Sequence, residues 1–119
     1  MTRARQAVGA YGERCAVRHL TGAGLRVVAR NWRGGQGELD IVAWDGDVLA
    51  FCEVKTRRGD RFGSPAEAVV GGKAARLRRL AVEWLAATGT HADDLRFDVL
   101  SVYLPAAGAA RVEHLKGAF

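Results

Sequence analysis

The sequence predicts an α/β domain with its elements in the order α-β-β-β-α-β, and three patterns carry that reading. A helical stripe runs from about Arg3 to Ala23, two period-2 arms surround Asp45-Gly46-Asp47, and a second helical stripe passes through Leu77, Leu80, Ala81, Trp84 and Leu85. At 119 residues the chain can bury a core without disulfides or structural metals, and it is read as one domain over residues 1–119.

In the first helix Val8, Tyr11, Cys15, Ala16, His19 and Leu20 fall on one broad face. Gly9 and Gly12 interrupt it at about 1 kcal/mol each relative to Ala, and small residues there let a helix approach a sheet. Glu13 sits at the border of the stripe, aimed partly at whatever the helix covers, although an exposed helix charge is the ordinary reading. Gly22 and Gly24 end the helix. Leu25–Trp32 reads as a first strand, followed by the turn Arg33-Gly34-Gly35-Gln36.

The hairpin carries the chemistry. With Trp44 facing Leu49 and Asp45 facing Val48, period 2 puts Glu38, Asp40, Val42 and Trp44 on one face, and Leu39, Ile41 and Ala43 on the other. The same register sets Asp40 across from Glu53, and Glu38 across from Lys55. At about 4 Å and an effective dielectric of about 20, two facing carboxylates repel by roughly 4 kcal/mol. A divalent cation between them reverses that sign, and Lys55 on the same face would orient water or meet charge on a phosphate. A sheet edge with solvated charge, in which Glu38–Lys55 is a plain cross-strand ion pair, fits the same residues.

Beyond the hairpin, Arg57-Arg58-Gly59-Asp60-Arg61-Phe62-Gly63 reads as a basic loop, suited to phosphates or simply to solvent. Ser64-Pro65 is a helix start, with Glu67 completing a capping box, and Gly71-Gly72 breaks that helix. The next helix stops at Thr88-Gly89. Along its flank Lys73, Arg76 and Arg79 recur at about 4.5 Å of helix rise, a row suited to a nucleic-acid backbone or to a solvated face. Leu95–Leu104 is a further strand, in which Asp98 is expected to pair with a base from the preceding helix. Arg111–Leu115 is a short last strand.

The net charge of +5 leans toward a polyanionic partner. Cys15 and Cys52 are two widely spaced residues among apolar neighbours, read as buried thiols of a reducing cytosol. His19, His91 and His114 lack metal-ligand spacing. No apolar run reaches the 18 residues of a membrane span, and no signal-peptide core opens the chain. A cytoplasmic protein with no membrane partner is expected. A small-molecule enzyme has little support, because no nucleotide-cradling glycine motif follows a strand.

Taken together, Gly9-x-x-Gly12-Glu13, Ala29-Arg30-Asn31-Trp32, Gly37-Glu38-Leu39-Asp40-Ile41-Val42, Phe51-x-Glu53-Val54-Lys55-Thr56-Arg57, Phe62-Gly63-Ser64-Pro65-x-Glu67, Lys73 and Arg96-Phe97-Asp98-Val99 resemble the YraN family of small bacterial proteins. That family resembles the PD-(D/E)xK nuclease superfamily, with a fold similar to archaeal Holliday-junction resolvases and type II restriction enzymes. The resemblance implies a restriction-endonuclease-like core, a mixed sheet flanked by helices. By position, Asp40 and Glu53 match the superfamily's metal-binding carboxylates and Lys55 its catalytic lysine. Glu13 matches a glutamate that some relatives supply from the first helix, and the Val54 carbonyl is a further candidate ligand. Leu39 stands where the motif's proline would be, and Glu38 belongs to the YraN pattern itself.

The implied activity is Mg²⁺- or Mn²⁺-dependent hydrolysis of DNA phosphodiesters, with Arg57, Arg58, Arg61, Lys73, Arg76 and Arg79 as candidate DNA contacts. A nucleic-acid-binding module of the same fold without physiological cleavage is the alternative. A chain with one site that cuts both strands is expected to act as a homodimer.

Overall fold

The computed structural model describes residues 3–35, 37–58 and 73–119. Helix α1 (Arg3–Gly22) leads into strands β1 (Arg26–Gly34), β2 (Gly37–Asp45) and β3 (Val48–Arg58). Helix α2 (Lys73–Thr88) then precedes β4 (Asp94–Leu104) and β5 (Arg111–Leu115). The five strands pair in the order β1-β2-β3-β4-β5, with β3–β4 parallel and the other neighbours antiparallel. This mixed sheet flanked by helices has the restriction-endonuclease-like topology. The expected Ser64-Pro65 helix start lies outside the described residues.

Each face of the sheet holds one core. Cys15, Ala16 and Leu20 of α1 bury Ile41, Ala43, Ala50, Cys52, Leu100 and Val102. Leu77, Leu80, Ala81 and Trp84 of α2 cover Leu39, Val42, Leu49 and Phe51 on the other side. Tyr11 and His19, expected on the buried stripe of α1, remain exposed. Both cysteines are buried and free.

Local chemistry fixes the joints. The Leu25 N–H donates to the Leu20 carbonyl at 2.9 Å, and Gly24 takes φ 93, so α1 ends on a left-handed residue and Leu25 tucks into the core. Gly12 is required where α1 crosses β3, since a Cβ there would stand 1.9 Å from Thr56 Oγ1. Gly9 has open space around it, so the close approach depends on Gly12 alone of the two.

The hairpin register is the expected one, Trp44↔Leu49 and Asp45↔Val48, fixed by a two-residue loop with Gly46 at φ 59. The ladder runs only as far as Ile41↔Cys52. There the expected alternation fails as well. Leu39 packs with Val42 under α2, whereas Ile41 faces α1; in β1, Ala29 and Trp32 share the α2 side at the same three-residue spacing. The two strands change phase together around Asn31 and Asp40, flanked by the pairs Arg30↔Ile41 and Trp32↔Leu39. Asn31 has φ 50, a left-handed conformation that Asn tolerates better than most residues, and this accounts for the switch.

Candidate active site

Where β2 and β3 part, the Asp40 side chain takes over from the backbone. Its Oδ2 accepts the Val54 N–H at 2.8 Å, a donor otherwise left without a strand partner. The residues on either side of Val54 are Glu53 and Lys55, so this one bond ties the β2 acid to the segment carrying both other motif residues.

Glu13 approaches the same gap from α1, held close by the Gly12–Thr56 contact and hydrogen-bonded to the side chain of Asn31. The residue that breaks the strand thus also orients the helix glutamate. Glu38 pairs with Arg33 across β1–β2 at 3.0 Å. This replaces the expected Glu38–Lys55 pair, because the β2–β3 ladder has ended before Glu38. Glu53 Oε1 lies 3.5 Å from Lys73 Nζ at the start of α2.

The electrostatics identify Asp40 as the centre. Burial pushes its carboxyl up to about 7; the Val54 N–H opposes this, while Glu53, Glu13 and Glu38 add to it. Burial also raises Glu13, with Glu38 adding to the rise and Asn31 and Arg30 countering it. Among the described residues, no three of these carboxylates bring their oxygens within 4.8 Å of one another, as like charges require. Oxygen donors in this arrangement fit a hard divalent cation such as Mg²⁺ or Mn²⁺, whose charge would relieve the strain on Asp40.

The comparisons fix the ancestry. The model of "Uncharacterised protein family UPF0102" matches residues 12–102. The chain belongs to the UPF0102 family. A UPF0102 protein of Salinispora arenicola is 69% identical over 119 residues, covering 100% of both chains. One from Frankia casuarinae is 58% identical over 118 residues, covering 98% of this chain and 99% of its own. One from Nocardioides is 50% identical over 113 residues, covering 95% and 91%. UPF0102 is YraN-like, a branch of the PD-(D/E)xK nuclease-like superfamily.

In this UPF0102 chain the basic residues separate into different environments. Arg57 and Arg58 continue β3, opposite Tyr103 and Leu104 of β4, and so are strand rather than loop residues. The long parallel pairing with β4 carries the strand past Lys55. Arg58 and Arg79 are exposed, and Arg61 lies outside the described residues. Arg76 is half-buried, with its Nε shielded and unpaired and Gly37 beside its stem, so it is not a freely projecting head. Lys73 turns to Glu53, which separates it from the expected row.

A second group escaped the sequence reading. Cys52, Asp98 and His114 have ligand atoms all within 4.8 Å of one another, close enough to hold a metal ion. Asp98, however, is engaged by Arg96 Nε and guanidinium NH2 at 2.8 and 2.9 Å, by His114 Nε2 at 2.7 Å and by the Gly117 N–H at 2.9 Å. Its partners therefore come from its own strand, β5 and the carboxyl-terminal segment, not from α2. Burial raises the Asp98 carboxyl, and these donors outweigh it to hold the group at about 2. Burial also pushes the Cys52 thiol up, away from the thiolate a soft metal needs. A fully bonded carboxylate, a neutral thiol and a nearby guanidinium make this group a structural clasp in its present state. The participants lie on three strands with no short motif to link them.

Proposed function

We propose that this UPF0102 chain is a divalent-metal-dependent nuclease that hydrolyses DNA phosphodiesters, with a structure-specific preference of the kind found in the resolvases it resembles. The observation that carries the reading is the buried Asp40 carboxyl, raised to about 7 among Glu53, Glu13 and Glu38 while tied to the Val54 N–H. A structural hairpin gains nothing from concentrating four acids there, whereas a cation site requires them.

Asp40 and Glu53 would hold Mg²⁺ or Mn²⁺, with the Val54 carbonyl as a further oxygen donor. Bound there, the ion supplies polarisation of the scissile phosphate and acidification of water. Lys55 orients the attacking water and meets the negative charge that builds on the phosphate. Glu13, fixed by Asn31, stands ready from α1 to accept a proton or to complete the acidic shell. Arg58 and Arg79 hold flanking phosphates through charge alone. A twofold dimer supplies the second site for a cut in each strand.

The test is cleavage of linear, nicked, flapped and four-way DNA with Mg²⁺ or Mn²⁺. Cutting should vanish in chelator and in Asp40→Asn. Tight DNA binding without cutting by folded, metal-loaded protein would favour the binding-module reading.

A further inference from the structure

Lys73 has an environment that a phosphate-tracking lysine does not need. Its Nζ stands 3.5 Å from Glu53 Oε1, and the two side chains are 25% and 15% exposed. Opposite charges at that spacing form a loose pair, longer than the 2.7–2.9 Å of a well-formed charge-assisted bond. Lys73 opens α2, whose first turn contains no acidic residue, and a cation is disfavoured at that end of a helix unless another charge compensates it. Glu53 is that charge. Lys55, two residues along β3, leaves the same carboxylate with a second cation nearby.

We infer that Lys73 is the exchangeable counter-ion of the site: it holds Glu53 in the metal-free protein and yields it to the divalent cation. Released, its ammonium is positioned to bind the phosphate drawn to that cation. Lys73 is therefore a positioning residue coupled to metal occupancy, distinct from the surface cations Arg58 and Arg79. The looseness of the pair makes exchange inexpensive, and partial burial keeps it from being solvated away.

This inference rests on the nuclease reading, and its test separates the two. Mn²⁺ binding is titrated calorimetrically, without DNA, for the wild type, Lys73→Ala, Lys73→Gln and Lys73→Arg, after thermal melts show that each is folded. Removing the competing ammonium should tighten Mn²⁺ binding roughly threefold to tenfold in Lys73→Ala and Lys73→Gln, as for loss of a partly screened ion pair. Lys73→Arg retains the pair and should stay within about twofold of the wild type. Unchanged or weaker Mn²⁺ binding in both neutral variants overturns the counter-ion role and leaves the nuclease reading standing. A wild type that binds no Mn²⁺ overturns both.

Discussion

The Asp40 carboxylate accepts the Val54 N–H at 2.8 Å just beyond the last β2–β3 pair, Ile41↔Cys52. A side chain completes the hydrogen bonding where the strands separate, and the separation makes room for acids from α1 and β3 around it. Fold and site therefore share one defect, the phase switch at Asn31 and Asp40.

Asp40 should make the metal-free protein less stable as pH rises. Its folded pKa, about 7, lies above the unfolded value, so the native state binds the extra proton between about pH 4 and 7. Stability attributable to the protonated group is complete below about pH 4 and is lost as pH rises through 7. Asp40→Asn keeps an acceptor for Val54 and removes the charge. In chelator at pH 7.5 it should be more stable than wild type by about 1–3 kcal/mol, and flatter across that window in denaturant titrations.

Asp98 has the opposite sign. Held at about 2, it contributes stability that is complete above its unfolded pKa near 4 and lost as pH falls toward 2. Its acid-labile contribution should be about 2–3 kcal/mol. Asp98→Ala strands Arg96 and should cost about 3–5 kcal/mol at neutral pH, with the low-pH slope reduced in urea titrations.

The two glycines of α1 should respond differently. Gly9→Ala meets no neighbour and should stabilise the helix by up to about 1 kcal/mol. Gly12→Ala drives a Cβ into Thr56 and should cost about 1–3 kcal/mol, displacing Glu13 with the helix. Thr56→Ala, which removes the nearest of the clashing atoms, should partly restore stability in the double variant. Melting curves of the four proteins check this.

Much of this was legible in the chain because its signals are local. A two-residue loop fixes the hairpin register, so Asp45 and Val48 could be paired from spacing, and Leu77, Leu80, Ala81 and Trp84 mark the buried face of α2. The α2-side location of Leu39 was not legible, because alternation assumes an extended backbone and Asn31 departs from it. Nor was the Lys73–Glu53 contact, which joins residues 20 apart through tertiary packing. The four donors on Asp98 were hidden for the same reason.

Exposure sorts the basic residues for a DNA-binding test. Arg58 and Arg79 are exposed, so changing both to Ala should alter stability by no more than about 0.5 kcal/mol each. It should weaken DNA binding across sequences alike and flatten the log-affinity against log-salt slope by roughly 1–2 units. Arg76→Ala should also cost stability, because its stem packs beside the β1–β2 turn. Salt titrations by fluorescence anisotropy, paired with melts, distinguish these effects.

The most direct measurement is Mn²⁺ binding by electron paramagnetic resonance, comparing wild type with Asp40→Asn, Glu53→Gln and Cys52→Ser. If the acids around Asp40 form the metal centre, the first two variants lose most bound Mn²⁺ and Cys52→Ser retains it. Retention in Asp40→Asn and Glu53→Gln, with loss in Cys52→Ser, would move the metal to the Asp98 cluster and contradict the account.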